Sequence, residues 1–97
     1  MTVVVIAEAQ FTEQGAQDFI EWSKGDDGYV ITRDFDGFEH IETWLAEDNK
    51  TILLYELWSS KEKHQAYLKF RTDGGLMDFL GPRLEGEFTV TYLAGAD

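Results

Sequence analysis

Thr51-Ile52-Leu53-Leu54-Tyr55-Glu56-Leu57-Trp58-Ser59-Ser60-Lys61-Glu62 contains a strand, a helix start and the junction between them. Residues 51–58 are rich in large aliphatic and aromatic side chains and read as a strand. Leu54, Glu56 and Trp58 share one of its faces, and Leu57 points the other way. Ser59-Ser60-Lys61-Glu62 has the form of a capping box, in which Ser59 and Glu62 satisfy orphan amides reciprocally. The helix opened there is expected to run to about Arg71, ahead of Thr72-Asp73-Gly74-Gly75.

Upstream, Asp36-Gly37 is a turn signal, and Phe38 to Leu45 has strand composition. Ala46 to Lys50 is a polar connection, so residues 38–58 form a hairpin. Val3 to Gln10 is a β-branched run read as a buried strand. Thr12 caps a helix with Glu13 in its first turn and Ala16, Phe19, Ile20 and Ser23 at helical spacing. Lys24-Gly25 closes it with a cation and a left-handed cap. Tyr29-Val30-Ile31-Thr32 reads equally as strand or as a short piece of helix. Downstream, Leu76 to Leu80 forms one or two helical turns ended by Gly81-Pro82, and Glu87 to Leu93 is the last strand. The order is that of a ferredoxin-like βαββαβ domain of the α+β class, an antiparallel sheet with both helices on one face, spanning residues 1–97. The remaining alternative is another small α+β sandwich.

The chain has 97 residues, 8 Lys+Arg against 19 Asp+Glu, and a formal charge of −11. That charge repels phosphates and argues against nucleic-acid and anionic-membrane partners. With 43% hydrophobic residues, the chain is too apolar for a disordered acidic tail. The absence of cysteine excludes disulfides, a thiol nucleophile and thiolate metal sites. Val3 to Ala7 is too short for a signal peptide or membrane span, and the expected location is cytoplasmic.

With two helices on one sheet face, the other face should be polar. Instead Val3 to Ile6 and Ile52 to Tyr55 are apolar on both faces. Such a face predicts a homodimer with the sheets packed against each other.

Nucleotide-binding loops and nucleophile elbows are missing from the sequence. His40 and His64 fall on different elements, so neither a metal nor another cofactor is expected. Any chemistry must use aromatics and a few polar groups.

Tyr55-Glu56-Leu57-Trp58-Ser59-Ser60-Lys61-Glu62 followed by His64-Gln65-Ala66-Tyr67-Leu68 resembles the antibiotic biosynthesis monooxygenase (ABM) family. Asp36-Gly37-Phe38, Lys69-Phe70-Arg71 and Leu80-Gly81-Pro82 extend the likeness over nearly the whole chain. The resemblance implies a dimeric α+β barrel and favours helix over strand at Tyr29 to Arg33. It also implies cofactor-free oxygenation of a small electron-rich aromatic or quinol. Trp58 matches the family pattern. Leu54 stands where hydroxylating members carry asparagine, His64 where they carry tyrosine, and Asp78 near a later arginine. Glu8, Ala9 and Gln10 on the first strand, with Met77 or Asp78 on the helix, make haem cleavage unexpected. Quinol monooxygenases, isomerases and lyases share the scaffold. A non-catalytic binding or interaction module is the reading that Leu54 favours.

Glu56 is the odd member of an apolar strand, either a base with a raised pKa or a satisfied structural carboxylate. His64, Tyr67, Leu68 and Arg71 form one helical stripe. His64 is expected to take the substrate proton and, as imidazolium, to pair with the resulting oxyanion. Leu54, Trp58, Tyr67 and Leu68 are candidate substrate-binding residues, with Trp58 also readable as a core aromatic. Arg71 is either an anchor for an anionic substrate or half of a surface ion pair. His40, sharing a face with Glu42 and Trp44, is read as a surface or interface residue.

Overall fold

In the computed structural model, which describes residues 2–96, the first strand β1 (Val3–Phe11) lies between two neighbours. Helix α1 (Glu13–Lys24) follows, with the Thr12 hydroxyl accepting from the Gly15 N–H as anticipated. Gly25 closes it in an extended conformation (φ −88°, ψ −177°), not the expected left-handed one, with its N–H on the Trp22 carbonyl. Tyr29–Arg33 is a short helix α2, which resolves that ambiguous segment. Strands β2 (Phe38–Leu45) and β3 (Thr51–Trp58) form the hairpin. Gly37 precedes it at φ +94°, where an added Cβ would also collide with Lys63.

Helix α3 (Lys61–Asp73) starts one residue later than the capping-box reading: Ser60, not Ser59, accepts from the Lys63 N–H. It also continues two residues past Arg71. Helix α4 (Leu76–Leu80) and a 3₁₀ turn (Gly81–Arg83) lead into β4 (Leu84–Leu93). The last strand begins three residues earlier than its composition suggests, because Leu84 pairs with Phe11 beyond an irregularity between Ala9 and Phe11. Strand order is β2-β3-β1-β4, antiparallel throughout. This is the expected βαββαβ topology.

Two apolar clusters hold the helices to the sheet. One contains Phe11, Ala16, Phe19, Ile52 and Leu80, the other Val5, Trp58 and Tyr67. Ala7 lies between Leu54 and Val90 in register, and its small side chain leaves space at the centre of the sheet. On the opposite face, strand alternation aligns Val4, Ile6, Leu53, Tyr55 and Leu57, with Trp44 61% exposed beside them. Both faces of the central strands are therefore apolar, as the sequence implies.

Candidate active site

A cavity of about 50 Å³ lies over Ala7, between the two clusters. Leu54 and Glu56 reach it from β3, and His64, Tyr67 and Leu68 reach it from α3. These five predicted site residues therefore converge.

Trp58 stands behind that wall, fully buried, its indole Nε1–H donating to Glu56 Oε1 at 2.9 Å. Its ring lies 5.3 Å from that of His64 and 5.1 Å from that of Tyr67, centroid to centroid. Trp58 is thus a core aromatic at the strand–helix corner, not a lining residue of the cavity as the substrate-binding reading expects, and it meets the site through its hydrogen bond to Glu56.

Glu56 is buried, and its carboxyl pKa is pushed up to about 7 because desolvation outweighs the Trp58 hydrogen bond. His64 Nδ1 lies 2.8 Å from the Tyr92 hydroxyl, and Nε2 lies 3.9 Å from Glu56 Oε1. Burial lowers its pKa to about 4, so the imidazole is neutral at pH 7. This moves His64 away from its expected part as proton acceptor, because an imidazolium there would be desolvated. Glu56 titrates in the range expected of the base. Burial, and after it the Glu56 charge, also raises the pKa of half-buried Tyr92.

Arg71 is not brought to the cavity, and among the described residues it forms no surface ion pair. It is buried, with Nη1 and Nη2 donating to the carbonyls of Asp27 (2.8 Å) and Gly28 (2.7 Å). Its remaining bonds go to Thr32 Oγ1 (3.0 Å) and the Tyr67 hydroxyl (2.8 Å), and Thr32 and Tyr67 are themselves 2.6 Å apart. Arg71 thus ties α2 to α3 and fixes the Tyr67 ring in the cavity wall, while its guanidinium faces a separate surface hollow with Trp22 and Phe79. His40 is at the surface as read, 2.7 Å from Glu42.

Thr32, Tyr92 and Tyr29 were not singled out by the sequence. Tyr29 is buried at the cavity wall with its hydroxyl 2.6 Å from Thr43 Oγ1, and burial raises its pKa. The one signal for Tyr92 is the Phe88, Val90, Tyr92 alternation, which aims all three at the helices.

Among the described residues no three His, Asp or Glu side chains converge as metal ligands, and no helix is long and apolar enough to cross a membrane. The arrangement is a weak acid of near-neutral pKa, a neutral imidazole and an apolar wall.

No protein-family model matches the sequence, and no curated protein matches it. Solved structures do match the fold. A structure described as an antibiotic biosynthesis monooxygenase superposes with a TM-score of 0.81 at 10% identity, covering 98% of this chain and 99% of the other. A Mycobacterium tuberculosis protein gives 0.74 at 21% identity, over 100% and 97% of the two chains. The ActVA-Orf6 monooxygenase of Streptomyces coelicolor, solved in complex with nanaomycin D, gives 0.76 at 16% identity, over 99% and 88%. The chain has the fold of structures described as ABM proteins.

Proposed function

We propose that the chain is a cofactor-independent monooxygenase of a small electron-rich aromatic or quinol, with Glu56 as its base. The observation that carries this reading is the Glu56 carboxyl, near pKa 7, facing an apolar cavity beside neutral His64. A carboxylate poised there takes a proton from a phenolic O–H or from the activated benzylic CH₂ of an anthrone without leaving the neutral range. Assigning the Tyr92 hydroxyl as donor to Nδ1, one of the two directions this contact allows, leaves the His64 proton on Nε2, to be offered to the oxyanion. The substrate anion then reduces O₂. For an anthrone-like CH₂ the balance is CH₂ plus O₂ giving C=O plus H₂O.

The fold likeness to a monooxygenase solved in complex with nanaomycin D supports a small-molecule site here. Two observations favour a second reading, a binding module without catalysis. Leu54 supplies no hydrogen bond where an asparagine would, and about 50 Å³ is less than the ~150 Å³ cavity that holds benzene. On the oxygenase reading, side chains at the cavity mouth must yield to admit a ring. Oxygen-electrode assays with 1,4-hydroquinones and anthrone-like phenols separate the two. Uptake above the buffer rate that persists in excess chelator is the expected result. Thermal stabilisation by these compounds without any uptake gives the binding module.

The outer sheet face is proposed to pair with a second copy. Light scattering at micromolar protein is then expected to give about twice the chain mass, and Leu57→Asp about one chain mass. A monodisperse wild-type monomer overturns this assembly.

A further inference from the structure

We propose that a surface groove beside the cavity is a subsite for a carboxylate, so that the substrate class is a quinol or phenol carrying an acid on a short side chain. This rests on the cavity at Glu56 being the ligand site, and it names what the ligand carries outside it.

The groove, about 540 Å³, runs between the C-terminal end of α1, α2 and the helix-facing side of β2. Its wall shares Tyr29 and Ile41 with the cavity. Ile41 is paired with Glu56 across β2 and β3, so the inner end of the groove lies one strand spacing, roughly 5 Å, from the acid. Tyr29, its hydroxyl 2.6 Å from Thr43 Oγ1, and Ile41 form the wall that the two spaces have in common.

The charge of this groove runs against that of the chain. Acids outnumber bases 19 to 8, yet among the described residues no Asp or Glu lines the groove, while Lys24 and Arg33 both do. Both are exposed, and neither forms an ion pair among the described residues; Arg33 lies 5.9 Å over the Tyr29 ring. Lys61, over the Tyr92 ring, is likewise without an ion pair but stands alone, whereas Lys50, Lys63, Lys69 and Arg83 all have carboxylate partners. Two unpaired cations in one depression of an acidic surface attract an anion. Val30 (56% exposed) and Leu45 (38% exposed) supply apolar walls, which suit the linker between an acid and a ring. Arg33 stacked on Tyr29 also places a cation at the partition, where an incoming acid would meet it.

Lys24 and Arg33 also end their helices, where a cation offsets the macrodipole. That role changes stability and leaves ligand discrimination untouched, which makes the two separable. The test is calorimetric titration under nitrogen with 3-(2,5-dihydroxyphenyl)propanoate and with its primary amide. Wild type is expected to bind the acid about five- to tenfold more tightly, with the preference shrinking at high salt. Lys24→Gln/Arg33→Gln is expected to bind both compounds equally, at the affinity of the amide. Equal affinities in wild type, a preference that survives the double variant, or no binding of the acid at 10 mM each overturn the subsite. Oxygen uptake then distinguishes failures. An acid that binds preferentially but consumes no oxygen removes the oxygenase reading and leaves the subsite, whereas equal turnover of acid and amide with equal affinity does the reverse.

Discussion

Oxygen uptake by Glu56→Gln is expected to fall by about 10²- to 10⁴-fold in kcat, the scale for losing a positioned acid–base group. The substitution is nearly isosteric, and a glutamine carbonyl still accepts the Trp58 indole N–H, so the wall around the cavity is kept. Wild-type activity should rise with pH through about 7, as the buried carboxyl ionises. That window belongs to Glu56, since His64 is already neutral above about 4. Uptake within threefold of wild type would remove Glu56 from the mechanism.

The same variant has a stability signature that needs no substrate. Glu56 has a raised pKa, so its neutral form favours the fold. Its contribution is fully present below 4.5 and is lost as pH rises through about 7. His64 has a lowered pKa, so its contribution is fully present above 6.5 and is lost as pH falls through about 4. Between pH 4.5 and 6.5 the two slopes oppose each other and cancel. Removing the titration of Glu56 exposes the slope of His64. Relative to wild type, Glu56→Gln should gain stability steadily as pH rises across that interval, measured by urea unfolding. A pH-independent difference would mean that the carboxyl titrates alike folded and unfolded.

What made the site legible is local. Alternation along Thr51–Trp58 places Leu54, Glu56 and Trp58 on one face, and 3.6-residue spacing places His64, Tyr67, Leu68 and Arg71 on another, whatever the rest of the chain does. The topology was legible for the same reason, each element being marked by its own period and ends. The details missed are set by partners distant in sequence. Thr32 meets Tyr67 across 35 residues and His64 meets Tyr92 across 28, and no window of sequence contains both members. Arg71 reads as a substrate anchor or as half of a surface ion pair in an acidic chain, but the open carbonyls of Asp27 and Gly28 at the α1–α2 turn take its donors instead. Gly28 lets this turn fold close against the C-terminal end of α1, since a Cβ there would collide with the carbonyls of Trp22 and Ser23. Glu85-Gly86 lacks strand composition and is strand through its place opposite the end of β1. Depth of burial was the least legible feature of all, and it sets both pKa values.

Trp58 carries the largest expected effect on stability. Its ring is fully buried, with Phe35, Phe38, His64 and Tyr67 around it at centroid distances of 5.1 to 6.3 Å. Trp58→Ala should cost about 3–5 kcal/mol, because the lost transfer energy and the unfilled space add. Against the usual 5–15 kcal/mol of a domain, that lowers the melting temperature by more than ten degrees. Trp58→Phe separates packing from chemistry. It keeps most of the apolar volume but removes the N–H that donates to Glu56 Oε1, the hydrogen bond that holds the carboxyl pKa down against desolvation. The Glu56 titration should therefore move above 7, carrying the midpoint of the pH–activity profile with it. Turnover would fall at pH 7 and recover at higher pH. An unchanged midpoint in Trp58→Phe, with only a lower melting temperature, would reduce Trp58 to a packing residue. The upward shift would establish it as the group that sets the proton affinity of the base.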